Sequence, residues 1–111
     1  MASSSNLYID AGSTFSAIIT VNGSDDLPLD LTGYTVASQM RKSYGSLTAY
    51  AFTATIYDAA TGKLRIALPA TTSSGITPGR YLYDIEITSA IDEKLRVVEG
   101  LVIITPEITK V

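Results

Sequence analysis

Hydrophobic and polar side chains alternate along most of this chain, which is the pattern of β-strands that bury one face. The alternation predicts strands at residues 13–21, 34–41, 50–57, 63–68, 81–88 and 94–105, with a short piece at 7–9 before them. No segment has the spacing of a helix face. The stretch 69–76, which begins at a proline, is predicted to hold one helical turn at most.

Turn residues separate these runs. Residues 58–62, which end at Gly62, are predicted to join strands 50–57 and 63–68 as a hairpin, with the glycine at positive φ. The last predicted strand is apolar on both faces from residue 97 to 104 except at Glu99 and Gly100. It is therefore predicted to be a central strand, with Gly100 at a bulge or a close contact.

Frequent strands and turns predict an all-β fold, namely an antiparallel immunoglobulin-like β-sandwich of about seven strands. An up-and-down barrel is the competing topology. With no cysteine or tryptophan in the chain, the immunoglobulin likeness concerns architecture alone. We expect a single domain over residues 1–111, with 1–12 and 106–111 as extended arms.

Composition narrows the possible classes of protein. The chain begins with small polar residues and its longest apolar runs are strand-sized, so no signal peptide, synthesis in the cytoplasm and no membrane contact are expected. The net charge is −3 and no long basic run occurs, so nucleic acid is not an expected partner.

The sequence contains few residues of the types that commonly catalyse reactions. Histidine and cysteine are both absent, which excludes Ser-His-Asp and Cys-His sites. Asp84 and Glu86 share one strand face and form the best carboxylate pair. We interpret them as an acidic stripe opposite basic residues on neighbouring strands, with Lys63, Arg65 and Arg96 as the candidates. The chain is therefore predicted not to be an enzyme.

Two acidic turns superficially suggest calcium loops. One spans residues 58–62 and the other contains Asp25 and Asp26. The first lacks side-chain oxygens at Ala59 and Ala60, where a calcium loop needs ligands. No metal and no cofactor are expected.

The seven tyrosines divide into two groups, with Tyr8 left unassigned. Those at strand starts or on apolar faces are predicted to be core or corner residues, namely Tyr34, Tyr81 and Tyr83. Those in or beside loops suit contacts with proteins and are predicted interface residues, namely Tyr44, Tyr50 and Tyr57.

Three strings carry a resemblance to a known group of proteins. They are Asp30-Leu31-Thr32-Gly33-Tyr34-Thr35-Val36 with Gln39-Met40-Arg41-Lys42, then residues 79–86, and then residues 96–102. Together they resemble small β-sandwich modules of tailed-bacteriophage virion proteins, similar to the N-terminal domain of upper baseplate proteins. The similarity extends over residues 30–105.

The resemblance implies a structural subunit assembled in many copies in the tail, baseplate, neck or capsid surface. No coiled coil or receptor-binding region follows within the sequence, so a free-standing subunit is expected. Its expected partners are other virion proteins and further copies of itself. The predicted contact residues in the arms are Leu7, Ile9, Ile108 and Val111.

Two alternatives remain open at this stage. One is a capsid decoration protein. The other is a carbohydrate-binding or host-adhesion module that would use Tyr44, Tyr50 and Tyr57 as stacking platforms.

Overall fold

The computed structural model describes residues 3–23 and 27–106, and within them it has nine strands and one short helix in two packed sheets. The all-β prediction is confirmed. The strands are β1 (Ser3–Ser4), β2 (Leu7–Asp10), β3 (Phe15–Thr20), β4 (Thr35–Arg41), β5 (Ala49–Ala51), β6 (Thr53–Asp58), β7 (Lys63–Leu68), β8 (Gly79–Thr88) and β9 (Lys94–Thr105). The helix α1 (Ala70–Ser73) is the single turn expected after Pro69.

The larger sheet has six strands in the order β1-β9-β8-β4-β5, with β2 also pairing with β9. The smaller sheet has three, in the order β3-β7-β6. Side chains at alternate positions of both sheets meet in one core. Its most completely buried members include Met40, Leu64, Ile66, Ile85, Ile87 and Val102.

The N-terminal segment is a part of the sheet and not an arm. Strands β1 and β2 run parallel to β9, with Leu7 opposite Val102 and Ile9 opposite Ile104. Leu7 and Ile9 are 8% and 2% exposed. The predicted arm over residues 1–12 is therefore wrong for the described residues, and so is a purely antiparallel larger sheet. These two apolar side chains are buried by pairing with β9, a long-range contact that local alternation does not reveal.

The predicted strand 50–57 is two strands in different sheets. β5 pairs with β4 in the larger sheet, whereas β6 pairs with β7 in the smaller one. Phe52 stands between them, is 5% exposed and donates its backbone N–H to the Ser38 carbonyl at 3.0 Å. The side-chain alternation continues through the switch, so the pattern alone predicts one strand.

Several local predictions are confirmed. β6 and β7 form the expected hairpin, with Gly62 at φ 70°. β9 is a central strand between β8 and the N-terminal strands. Gly100 is a close-contact point, because a Cβ there would overlap the carbonyl oxygen of Ser5.

Candidate interaction surface

The outer face of the larger sheet holds a shallow depression of about 620 Å³. Strands β4, β8 and β9 supply its floor, because every second side chain of each strand points away from the core. The floor contains Leu82 and Leu101, directly opposite each other in the β8–β9 ladder, and Gln39 beside Asp84. Tyr44 stands at its edge.

Charged groups in the depression pair with one another. The Arg96 Nε lies 3.1 Å from Asp84 Oδ2, and its Nη1 lies 3.3 Å from Glu99 Oε2. Asp84 first, and Glu99 after it, raise the pKa of the Arg96 guanidinium above its ordinary value. Because the three side chains are substantially exposed, these pairs organise the surface and add little to stability.

The acidic pair behaves in part as the sequence predicted. Asp84 and Glu86 share the outer face of β8, and Arg96 is their basic neighbour, opposite Glu86 in the ladder. Lys63 and Arg65, the other candidates, lie on β7 in the other sheet. Within the described ranges no three acidic side chains lie close enough together to hold a metal ion. The predicted Asp25-Asp26 turn lies outside those ranges.

Hydrogen bonds from the end of β4 hold the loop 42–48, which connects β4 and β5. Arg41 donates through Nη1 to the Ser46 carbonyl at 2.6 Å and through Nη2 to Gln39 Oε1 at 3.3 Å. Ser46 in turn donates its hydroxyl to the Thr48 carbonyl. The loop presents Tyr44, 82% exposed, and Leu47, 99% exposed. Two large side chains are therefore exposed to solvent on a loop that is ordered by its own hydrogen bonds.

The tyrosines predicted as interface residues do not share one place. Tyr44 borders the depression on the larger sheet, and Tyr57 is 60% exposed on β6 of the smaller one. Tyr50 is half-buried and packs edge-on against Tyr81, with ring centres 6.2 Å apart. Tyr44 and Tyr57 are therefore accessible to a partner, whereas Tyr50 serves largely as support for the sheet.

Two buried tyrosines are held by their hydroxyl groups. Tyr81 donates to the Thr77 carbonyl and Tyr83 to the Ser5 carbonyl, each at 2.7 Å. Burial raises the pKa of both phenols above the ordinary value. The core and corner roles predicted for them agree with these positions.

Of the predicted arm contacts, Leu7 and Ile9 are core residues and are not accessible to a partner. Ile108 and Val111 lie outside the described residues. Sequence reasoning missed other exposed apolar groups, namely Tyr8, Ile18, Leu47, Ile91 and Leu95. The exposure of Ile18 could have been predicted, because Ile18 shares a strand face with the polar residues Ser16 and Thr20.

No family model and no curated protein matches the chain. Among solved structures it is similar to the Listeria monocytogenes internalin-like protein lmo2027, with 13% identity and a TM-score of 0.44 over 96% of this chain. The chain spans 28% of the length of that protein chain. A likeness of this degree carries no conclusion about function. In the described part of the chain, no helix has the length and hydrophobicity that a membrane crossing requires.

Proposed function

We propose that this chain is a non-enzymatic structural protein of the tailed-bacteriophage virion, an immunoglobulin-like module assembled in many copies through protein contacts. The motifs of residues 30–42, 79–86 and 96–102 support the virion setting by resemblance. The exposed pair Tyr44 and Leu47 supports the adhesive role, and it is the observation on which the proposal chiefly depends.

The strand order supports the immunoglobulin-like assignment. Strands β3, β7 and β6 correspond to B, E and D, and β9, β8, β4 and β5 to G, F, C and C′. Tyr81, near the start of β8, donates its hydroxyl to the carbonyl four residues upstream. This is the arrangement of the tyrosine corner at the start of strand F. The N-terminal strands β1 and β2 depart from the common pattern because, within the part of the chain that the structure describes, they pair only with β9.

The loop 42–48 suits a protein contact for two reasons. Tyrosine is enriched in interfaces because its ring offers a large contact area at low entropic cost, and an exposed leucine on the same loop adds apolar area. The hydrogen bonds from Arg41 and Ser46 already order the loop, so less conformational entropy is lost on docking.

The carbohydrate-binding alternative gains no support from the geometry. That alternative uses Tyr44, Tyr50 and Tyr57 together, so it expects their rings on one surface. Here Tyr44 lies on the loop between two strands of the larger sheet, Tyr57 lies on β6 of the smaller sheet, and Tyr50 packs against Tyr81. The proposal therefore takes proteins as the partners.

Mass spectrometry of gradient-purified particles from the phage carrying this chain tests the virion role. The chain is expected in stoichiometric, multiple copies per particle. Its consistent absence from particles, with the protein present only in the soluble lysate, would refute the proposal.

The contact loop is tested by the double substitution Tyr44→Ser and Leu47→Ser. Incorporation of the chain into particles is expected to fall by at least about tenfold, since aromatic anchors commonly dominate binding. Ile91→Ser is the matched control, because Ile91 is 77% exposed in the turn at the other end of β8. Equal losses in the two variants would contradict a specific role for the loop.

A further inference from the structure

Strand β3 forms an open edge of the smaller sheet. Among the described residues it pairs with β7 alone, from Phe15 opposite Leu68 to Thr20 opposite Lys63. Val21 continues this ladder by donating its N–H to the Gly62 carbonyl at 2.7 Å. Backbone groups of an antiparallel strand alternate between its two sides, so those of the even-numbered residues point away from β7. Ser16, Ile18 and Thr20 therefore carry the available donors and acceptors.

Within β3 itself, none of the usual sequence features that prevent strand pairing is present. Natural edges are blocked by charges, prolines, bulges or short length. β3 is Phe-Ser-Ala-Ile-Ile-Thr, without charge, proline or glycine, and its ladder with β7 is regular. By contrast, β6 has a register shift before Asp58, and β5 is three residues long.

The inner face of β3 is incompletely covered. Phe15, Ala17 and Ile19 point toward the core but are only half-buried, whereas Leu64 and Ile66 on the adjacent β7 are 0% exposed. On the outer face, Ile18 is 50% exposed. A further strand beside β3 would shield apolar groups on both faces of the sheet.

An uncharged strand is the best match for an uncharged edge, and β3 itself is such a strand. A two-fold axis at Ile18 pairs Ile18 of one chain with Ile18 of the second chain. It also pairs Ser16 of each chain with Thr20 of the other. All three residues then use their outward backbone groups. The nearest basic side chain, Arg65, would lie about 14 Å from its copy, three strand spacings away, where physiological salt screens the repulsion.

We propose that β3 binds β3 of a second copy of this chain, antiparallel about a two-fold axis at Ile18, so that two smaller sheets become one. The contact is isologous, as two-fold contacts are. This inference deepens the proposed function, on which it rests, because it identifies one of the contacts by which copies assemble.

The first test is sedimentation equilibrium of the full chain over a series of concentrations. The wild type is expected to dimerise. Ile18→Lys is expected to weaken the dimer by at least about 100-fold, because two lysines would face each other across the axis. Thr55→Lys is the matched control, since Thr55 lies in the same cross-strand row on the outer face at the opposite edge, and it should change the constant by less than about twofold. A monomer at every concentration, or equal dimerisation of wild type and Ile18→Lys, would overturn the inference.

The second test uses cysteine, of which the chain has none. In Ile18→Cys the paired Cα atoms would lie about 5.5 Å apart, within the range that a disulfide bridges. Mild oxidation should therefore give a covalent dimer. Ser16→Cys alone should not cross-link, whereas Ser16→Cys combined with Thr20→Cys should. Cross-linking of Ser16→Cys as fast as Ile18→Cys would contradict the stated pairing.

Failure of these tests can be told apart from failure of the proposed function. A monomeric chain that is still found in multiple copies in particles would refute the β3 contact alone. Absence from particles would refute the virion role whatever the oligomeric state.

Discussion

At the scale of single residues, the hydroxyl groups of two core tyrosines connect segments that the sheets do not join. Tyr81 reaches the Thr77 carbonyl and so closes the corner before β8. Tyr83 reaches the Ser5 carbonyl, between β1 and β2. Each ring fills the core while its polar end satisfies a backbone acceptor, which is the usual compromise for a buried tyrosine.

Tyr81→Phe should lower the free energy of unfolding by about 0.5–1.5 kcal/mol, the net value of one hydrogen bond. Urea denaturation at neutral pH measures it, and Tyr57→Phe, at an exposed site, is the control. Burial raises the pKa of Tyr81 above its ordinary value of 10.0, so as the pH rises the unfolded chain loses this proton before the folded chain does. This contribution to stability is therefore fully present below the pKa of the unfolded chain, and it is lost as the pH rises through the pKa of the folded chain. An unchanged midpoint for Tyr81→Phe would show that the corner bond contributes nothing.

At the scale of elements, the close approach of the N-terminal strands to β9 depends on a glycine. The backbone around Ser5 lies against Gly100, and Ser5 donates its N–H to the Glu99 carbonyl at 3.0 Å. Asn6 reinforces the contact, because its Oδ1 accepts the Leu101 N–H at 3.1 Å. A side chain at position 100 would separate the two segments.

Gly100→Ala should therefore destabilise the fold by about 1–3 kcal/mol, the usual range for overpacking. Hydrogen exchange should show faster exchange at Ser5 and Leu101. Gly45→Ala is the matched control, because a Cβ at Gly45 meets nothing within 4 Å. If both alanines had the same effect, the close contact would not be the cause.

At the scale of the whole molecule, the N-terminal strands β1 and β2 lie beside the last strand, β9, in one sheet. β2 covers the edge of β9 and sends Leu7 and Ile9 into the core shared with the smaller sheet. Within residues 3–23 and 27–106, no strand covers β3 of the smaller sheet in the same way. The N-terminal strands therefore cover one edge of the larger sheet, and the proposed β3 contact lies at an edge of the smaller one.

Ile9→Ala should cost about 2–4 kcal/mol of unfolding free energy, as expected for truncating a large buried side chain. Tyr8→Ala, the neighbouring residue on the opposite face, is 70% exposed and should cost far less. Thermal and urea unfolding measure both. Similar small effects would mean that residues 7–10 do not pack in the core and that the arm interpretation was correct.

The sequence determined the elements that depend on local pattern. Alternation predicted β4, β7, β8 and β9 closely, and Gly62 predicted the β6–β7 hairpin, because side-chain period and positive φ are properties of neighbouring residues. The outward position of Asp84 and Glu86 followed from the same alternation.

The tertiary structure alone decided which strands meet. The parallel pairing of β2 with β9, the change of sheet at Phe52 and the half-exposed inner face of β3 all depend on contacts between residues far apart in the chain. A period of two shows that a strand has an apolar face but not which sheet covers it, so Leu7 and Ile9 were predicted to bind a partner when they bind the core.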